Sequence, residues 1–304
     1  MTTPDASGAR PRLSVVVAAW TGAESLELCI SSVIAQLDPA TDEVVVARNF
    51  ATNAPAGRPA TVRVLDLEFA SALTVPQLRG EGLVAAAGTI VAFLEDHCRC
   101  VPEWRDSLIS AYSHGPQNAV GGPVDLAHGG RAIDWAVYFY DYAAYAPPVG
   151  GGKARALSGA NMSFTRDLLD QMLPKAKEPV NEAFLVAWMR AHDVAMALAP
   201  GAVAVHGKRH HPGRAIRLTF SLARSYAAAR FPRPSAKRLA YALGSLVLPM
   251  LLGARITRSV FRAPRLAARF VASLGWLSVL LVCWSAGEIS GYLTGAGRSG
   301  DQWR

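Results

Sequence analysis

The chain has 304 residues, 51% of them hydrophobic and 18% charged, which excludes a disordered, charge-solvated polypeptide and leaves room for one large domain or two modest ones. The net charge of +8 is unevenly placed: residues 231–304 carry ten Lys or Arg against two acids, Glu288 and Asp301, while residues 1–230 balance at 21 of each sign. A surplus confined to the flanks of apolar segments excludes nucleic acid as the partner of the folded domain and points to membrane lipids instead.

Residues 1–12 are short, polar and contain prolines, so they are expected to be a disordered tail rather than a secretory signal, leaving the first domain in the cytosol. Leu13–Ala19 is a continuous apolar run, as expected of a strand buried on both faces of a parallel sheet. A helix follows over 24–36, with Leu26, Cys29, Ile30, Val33 and Ile34 on one face. Further strands are predicted at 43–47, 61–67 and 89–94, the last preceded by a helix through Ala85–Ala87. The spacing then predicts an aromatic-rich helix over 131–145, a flexible break at 147–152 and a loop entering a strand over 158–164. A helix over 182–191 and two short strands around Pro200-Gly201 complete this part. Strands alternating with helices predict an open, mostly parallel α/β sheet, in which ligands sit at the carboxyl ends of the strands.

The tail reads differently. Residues 239–254 and 270–287 are free of charge, the first interrupted by Pro249. At about 1.5 Å per residue the second run just reaches across a hydrocarbon core of about 30 Å. Between them, over 255–269, Arg255, Arg258, Arg262, Arg265 and Arg269 recur at steps of three and four, which predicts one helix with all five on one face. Two full crossings would place that stripe outside, against the positive-inside tendency. The expectation is therefore a first segment lying in or dipping into the cytosolic leaflet and a second inserted more deeply; the alternative is two buried helices of a soluble domain. The boundaries expected are 13–230 for the α/β domain, 231–297 for the membrane-associated segment and 298–304 for a tail.

The strongest chemical signal follows the fourth strand. Glu95, Asp96 and His97 stand where such a sheet presents ligands, and carboxylates with an imidazole suit Mg²⁺ or Mn²⁺ with positions open for phosphate oxygens. The plain alternative is a helix cap or solvated turn. Trp104, Trp135 and Tyr138 suit stacking on a sugar or lipid acceptor, or a helix core. Asn161 suits a hydrogen bond to donor or acceptor, or a turn. Four scattered cysteines form no disulfide framework, and Cys98-Arg99-Cys100 lacks a second pair at zinc spacing.

Leu13–Ala19, Leu78-Arg79-Gly80-Glu81-Gly82 followed by Ala85–Gly88, Phe93–His97, Pro102-Glu103-Trp104, Ser158–Asn161 and Pro200–His206 occur in the order and spacing of family 2 glycosyltransferases. The chain resembles that family over about residues 13–230, and its tail resembles the hydrophobic ends of membrane-bound members. The resemblance implies a GT-A fold, a Rossmann-like sheet with flanking helices. It implies that the loop after Ala19 and Trp20 contacts the nucleotide and that Arg48-Asn49 lies at the base, although the family usually carries an acid there. Arg79 would face nucleotide or diphosphate. Glu95-Asp96-His97 would occupy the place of the family's Asp-x-Asp, with Glu95 and Asp96 on the donor and Asp96 and His97 on the cation. A final histidine resembles the Asp-x-His variant of polypeptide N-acetylgalactosaminyltransferases, which use a later histidine as well, and so implies His206 as third ligand. Trp104, Trp135 and Asn161 are the acceptor-side candidates. Glu182 would be the general base, with Glu178 in the alternative register; an acid at a helix start favoured by the macrodipole is the plain reading. Lys208–His211 reads as a basic loop beside diphosphate or lipid headgroups.

The expectation is thus an inverting transferase moving a sugar from a nucleotide-diphosphate donor to a lipid-linked or membrane-proximal glycan acceptor, at the cell membrane with its catalytic domain cytoplasmic. Its developing leaving-group charge would be met by a divalent cation or basic side chains. The alternative is a non-catalytic relative that binds nucleotide or glycan at the membrane, favoured by three departures from the family pattern: Glu95-Asp96-His97 for Asp-x-Asp, Arg48-Asn49 after the second strand, and Ala183 where the family commonly has Asp after Glu182. A nucleotidyltransferase lacks its glycine-rich basic loop here, since only Thr21-Gly22 follows Trp20.

Overall fold

The computed structural model describes residues 12–49, 62–69, 73–114, 117–127, 129–175, 178–231 and 235–299. The expected N-terminal tail, apart from Arg12, and residues 300–304 of the C-terminal tail lie outside the described residues. In chain order the elements are β1 (Leu13–Ala19), α1 (Ala23–Ile34), β2 (Asp42–Arg48), β3 (Arg63–Glu68), α2 (Val75–Ala85), β4 (Ile90–Glu95) and β5 (Cys98–Cys100). Next come α3 (Trp104–Ser113), β6 (Ala119–Gly121), β7 (Val124–Leu126), α4 (Ala132–Tyr142), β8 (Gly152–Ala154), β9 (Asn161–Thr165), α5 (Arg166–Met172) and α6 (Glu182–Ala191). The chain continues through β10 (Met196–Leu198), β11 (Ala204–His206), α7 (Pro212–Arg230), α8 (Ala236–Gly244), α9 (Leu248–Phe261) and α10 (Ala267–Thr294).

These elements form two compact units, Met1–Val124 with Val149–His206, and Asp125–Pro148 with Gly207–Arg304. The boundary expected at residue 230 therefore moves. The segments 125–148 and 207–230 belong with the apolar helices, because α4 and α7 bury their inner faces against α10.

In the first unit an eight-stranded sheet runs β3-β2-β1-β4-β9-β6-β10-β8. β1 and β2 are buried along their whole length, their apolar centres covered on both faces and their polar residues Ser14, Asp42, Glu43 and Arg48 buried with them. The sheet is mixed. β1 pairs parallel with β2 and β4, β2 with β3, and β6 with β10, but β9 runs antiparallel between β4 and β6, and β8 is antiparallel to β10. Register places Ala19 opposite Arg48 and Ala18 opposite Glu95, so the three carboxyl ends meet on one edge. At the other end, buried Glu43 accepts from Ser14 Oγ and the Ala87 amide at 2.6 Å each, while Ser14 Oγ accepts from the Gly88 amide. That polar clasp ends α2 at Ala85, before the Ala86–Ala87 pair that the sequence places inside a helix. β5 and β11 form a small antiparallel ribbon with Cys98 opposite His206.

In the second unit α8 to α9 and α10 are long and apolar enough to cross a membrane, over Ala236–Phe261 and Pro264–Thr294. The outer side of the first carries Leu243, Leu246, Met250 and Leu251, with Met250 78% exposed. The arginine segment is not one helix. α9 ends at Phe261, a 3-10 turn occupies Pro264–Leu266 and α10 starts at Ala267. Pro264 has no amide hydrogen and disfavours helical geometry at the residue before it, so the five arginines are divided between two helices and the turn joining them. Arg265 is drawn to Asp125 and the Pro147 carbonyl instead. At the polar end of this hairpin the buried Glu288 carboxylate accepts from Ser245 Oγ and Trp284 Nε1, and Ser285 Oγ donates to the Ser245 carbonyl.

α7 carries no large apolar stripe; its buried residues are Ala215, Thr219, Ser221, Ala223 and Ala227. These small residues admit α10 to close range. A Cβ at Gly287 would lie 2.4 Å from the Phe220 carbonyl oxygen, and one at Gly291 2.3 Å from that of Arg224. Gly287→Val or Gly291→Val should therefore force the helices apart at a cost of about 1–3 kcal/mol, read as a lowered thermal midpoint in detergent. Gly275→Ala, inside α10 at a position with open space around it, should not lower that midpoint and should raise it slightly, since Ala favours the helix by about 0.5–1 kcal/mol.

Candidate active site

The site lies where β1 and β4 end. β4 delivers Glu95, and the two residues before β5 supply Asp96 and His97. Asp96 is completely buried and turned toward the β1–α1 loop. Its Oδ2 accepts from the backbone amides of Trp20 (2.9 Å) and Thr21 (2.6 Å), and its Oδ1 accepts from Thr21 Oγ1 (2.7 Å). A buried carboxylate that accepts from three donors of one loop holds that loop in one shape. Thr21 is a site residue given no role from sequence; a short hydroxyl residue two positions after an apolar strand was the available signal.

Asp96 also receives His97. His97 Nδ1 is 3.1 Å from Asp96 Oδ1, and Nε2 on the other side of the ring is 3.0 Å from Glu95 Oε2. With Nδ1–H donated to Asp96, Nε2 and the Glu95 oxygen are two electron-rich atoms that need a proton or a cation between them. The His206 ring meets that of His97 edge-on at 4.5 Å. Ligand atoms of Glu95, His97 and Cys98 lie within 4.8 Å of one another. This donor set fits a divalent cation, with Glu95 and His97 as the ready ligands and the His206 ring alongside. Burial, with Glu95's charge adding to it, pushes the Cys98 thiol well above its ordinary pKa, so it stands protonated. Asp96 is already occupied by the loop.

Arg79, on α2, joins this cluster to the start of α6. It is 1% exposed. Its Nη2 donates to Glu95 Oε1 (3.2 Å) and to the Gly159 carbonyl (2.8 Å), and its Nη1 donates to Glu182 Oε2 (3.1 Å). Burial pushes the Glu95 carboxyl up, but the hydrogen bond and charge of His97, with Arg79 and His206, outweigh it and hold the group well below the usual carboxylate range. Glu182 is the first residue of α6, capped by Asn181 Oδ1 accepting from the Ala183 amide, and its side chain remains 45% exposed. It packs over Gly159: a Cβ there would fall 2.8 Å from the Glu182 carboxyl carbon. Gly159 is thus a second position that sequence reasoning left without a role, and Glu182, Arg79, Glu95, His97 and His206 converge.

Other candidates lie apart from that cluster. Trp104 and Asn161 are buried together: Trp104 Nε1 donates to Asn161 Oδ1 (3.0 Å), and Asn161 Nδ2 donates to the carbonyls of Pro123 (3.0 Å) and Ala202 (2.7 Å). The side-chain polar atoms of the pair are all hydrogen-bonded inside the protein, so both side chains are turned inward. Trp135 is likewise buried, in the second unit, against Tyr138 and Phe139. Arg48 is pinned by Asp66 at 2.8 Å and Glu68 at 2.8 Å, and Asn49 is hydrogen-bonded in both directions to the Leu73 backbone, so the pair braces β2 against β3 and the following loop. Trp20 packs against Ala18, Ala47 and Leu78.

The profile of glycosyl transferase family 2 matches residues 14–173, more than half of the chain. The chain belongs to that family and is a glycosyltransferase. Among solved structures it is similar to the mannosyltransferase PcManGT from Pyrobaculum calidifontis, determined with GDP-Man and Mn²⁺, at TM-score 0.58 and 18% identity, over 94% of this chain and 88% of that one. It is similar to residues 1–349 of S. aureus TarS at TM-score 0.52 and 13% identity, over 95% and 91% of the two chains. It also resembles GalNAc-T7, determined with UDP, GalNAc and Mn²⁺, at TM-score 0.50 and 16% identity, over 67% of this chain but only 45% of that longer one. At these identities the likeness establishes the fold, the mixed GT-A type. No curated protein matches the chain significantly in sequence.

Asn161→Ala should leave three buried partners unsatisfied and cost about 3 kcal/mol of stability, measured by thermal or denaturant unfolding. An acceptor-binding role would instead change turnover and leave stability untouched.

Proposed function

We propose that this family 2 glycosyltransferase moves a sugar, with inversion, from a nucleoside-diphosphate donor to a lipid-linked or membrane-proximal acceptor. The observation that carries the reading is the pairing of Glu182 with Arg79 and of Arg79 with Glu95, which sets a half-exposed carboxylate beside the donor-side acid. Glu182 takes the proton from the acceptor hydroxyl. The hydroxyl oxygen attacks the anomeric carbon from the face opposite the diphosphate, and the nucleoside diphosphate departs with the bonding electrons. Arg79 orients Glu182 for that transfer through its 3.1 Å bond to Oε2.

Glu95, His97 and His206 would hold a divalent cation, Mg²⁺ or Mn²⁺, which when bound supplies positive charge for the leaving diphosphate. The Mn²⁺ in the PcManGT and GalNAc-T7 structures, together with their GDP- and UDP-containing ligands, supports a cation and a nucleotide-sugar donor here. The Ala19-Trp20-Thr21 loop, tied down by Asp96, would line the nucleotide. Asp96 serves as that tie in place of a ligand role, and Arg48 acts through its acidic partners.

The exposed apolar surface of α8 to α10 and the arginines about the α9–α10 turn support membrane association, with the catalytic unit on the cytoplasmic side of the cell membrane. Met250→Glu together with Leu246→Glu should weaken flotation with anionic vesicles; undiminished flotation of the doubly charged variant would exclude this face as the attachment.

Calorimetry on the detergent-solubilised full chain, with UDP, GDP and their sugars, should show nucleotide binding that needs Mn²⁺, is abolished by EDTA and is lost in His97→Ala. Glu182→Gln should bind donor normally while turnover falls about 10²- to 10⁴-fold. Folded protein that binds no nucleotide under any of these conditions would overturn the donor assignment.

A further inference from the structure

The Arg79 guanidinium is more deeply buried than either carboxylate it serves, and its geometry is unusual for a purely structural arginine. Charge-assisted hydrogen bonds close to about 2.7–2.9 Å where nothing competes. Here the bonds to Glu182 and Glu95 are 3.1 and 3.2 Å, and only the neutral Gly159 carbonyl is met at 2.8 Å. Its Nε, also buried, makes no hydrogen bond. A buried donor left unsatisfied is a cost that local packing normally removes. The side chain is thus positioned to span two acids on separate elements, at the expense of its own hydrogen bonding.

We infer that Arg79 is a shared counter-charge that couples the cation side of the site to the general base, acting as a positioning residue and not by contact with the donor. The inference rests on the proposed roles of Glu95 and Glu182. Without a cation, one guanidinium is divided between two carboxylates. When a divalent cation engages Glu95, the positive charges of cation and guanidinium compete for it, and Arg79 is left to Glu182. Loading the donor side therefore strengthens the hold on the base, and base and donor become ready together. The coupling is reciprocal: Arg79 must weaken cation binding by opposing it at Glu95.

That sign provides the test, because damage to the fold would weaken cation binding, whereas loss of an opposing charge strengthens it. Mn²⁺ affinity is read by the paramagnetic resonance signal of free Mn²⁺, and turnover by hydrolysis of the nucleotide sugar, both on full-length protein in detergent, with circular dichroism to confirm folding. Arg79→Gln should bind Mn²⁺ about tenfold more tightly, the effect expected of removing one positive charge beside a ligand. Its kcat should fall at least about thirtyfold while KM for the donor changes less than about threefold. Arg79→Lys keeps the charge but not the fork, so it should bind Mn²⁺ like the wild type and recover only part of kcat. If Arg79→Gln does not fold, the Arg79→Lys pattern decides alone. Wild-type kcat in Arg79→Lys, or unchanged or weaker Mn²⁺ binding in folded Arg79→Gln, would overturn the coupling. Wild-type protein that binds no Mn²⁺ would overturn the cation reading beneath it, a separate and recognisable failure.

Discussion

A guanidinium removed from water must be surrounded by acceptors, and around Arg79 those acceptors come from three places in the chain: the end of β4, the Gly159 carbonyl and the first turn of α6. Much of the first unit serves that requirement. β4 must end one residue after the apolar run so that Glu95 projects, α6 must begin at Glu182, and the segment before β9 must pass without a side chain at Gly159. Moving any one of the three segments would strand a buried positive charge, at a cost of several kcal/mol. The ion cluster thus closes the fold on its carboxyl edge, as the Glu43–Ser14 clasp closes it on the other.

The parts legible in the sequence are those dictated by continuous burial. β1, β2 and β4 read directly from their apolar stretches, with Val15–Val17 and Val44–Val46 at the centres of the first two, and the carboxyl end of β4 led to Glu95 and His97. α6 was legible to the residue because Asn181 caps it and Glu182 opens it. What escaped was carried by small or polar residues. α7 seals against α10 through alanine, serine and threonine, so it has no apolar stripe to reveal a helix. β9 was legible as a strand entered from a loop, but its antiparallel direction escaped, because so short a run carries no mark of direction. The arginine spacing over 255–269 has helical period, yet Pro264 breaks the backbone, and a side-chain period carries no information about backbone amides. Trp104 and Asn161 have side chains typical of sugar recognition; only the fold shows that they recognise each other.

The second unit obeys a different solvent logic. Its outer surface is apolar while its interior holds serines, Glu288 and the Trp284 indole in mutual hydrogen bonds. The polar groups fasten α10 to the turn between α8 and α9. On the membrane association proposed above, such bonds would hold two helices together where lipid on the outside gives no hydrophobic reason for them to associate.

The tie between Asp96 and the Trp20–Thr21 amides also bears on the thermodynamics of recognition. Ordering a flexible loop residue costs about 1–2 kcal/mol in lost backbone entropy. A loop clamped by a buried carboxylate has met that cost during folding, so a nucleotide bound there, as proposed, would not have to order it again. More of its contact energy then appears as affinity. The same rigidity restricts which ligands can be accommodated: a loop that cannot rearrange selects by shape. Diversification of specificity on this scaffold would have to begin by releasing Asp96.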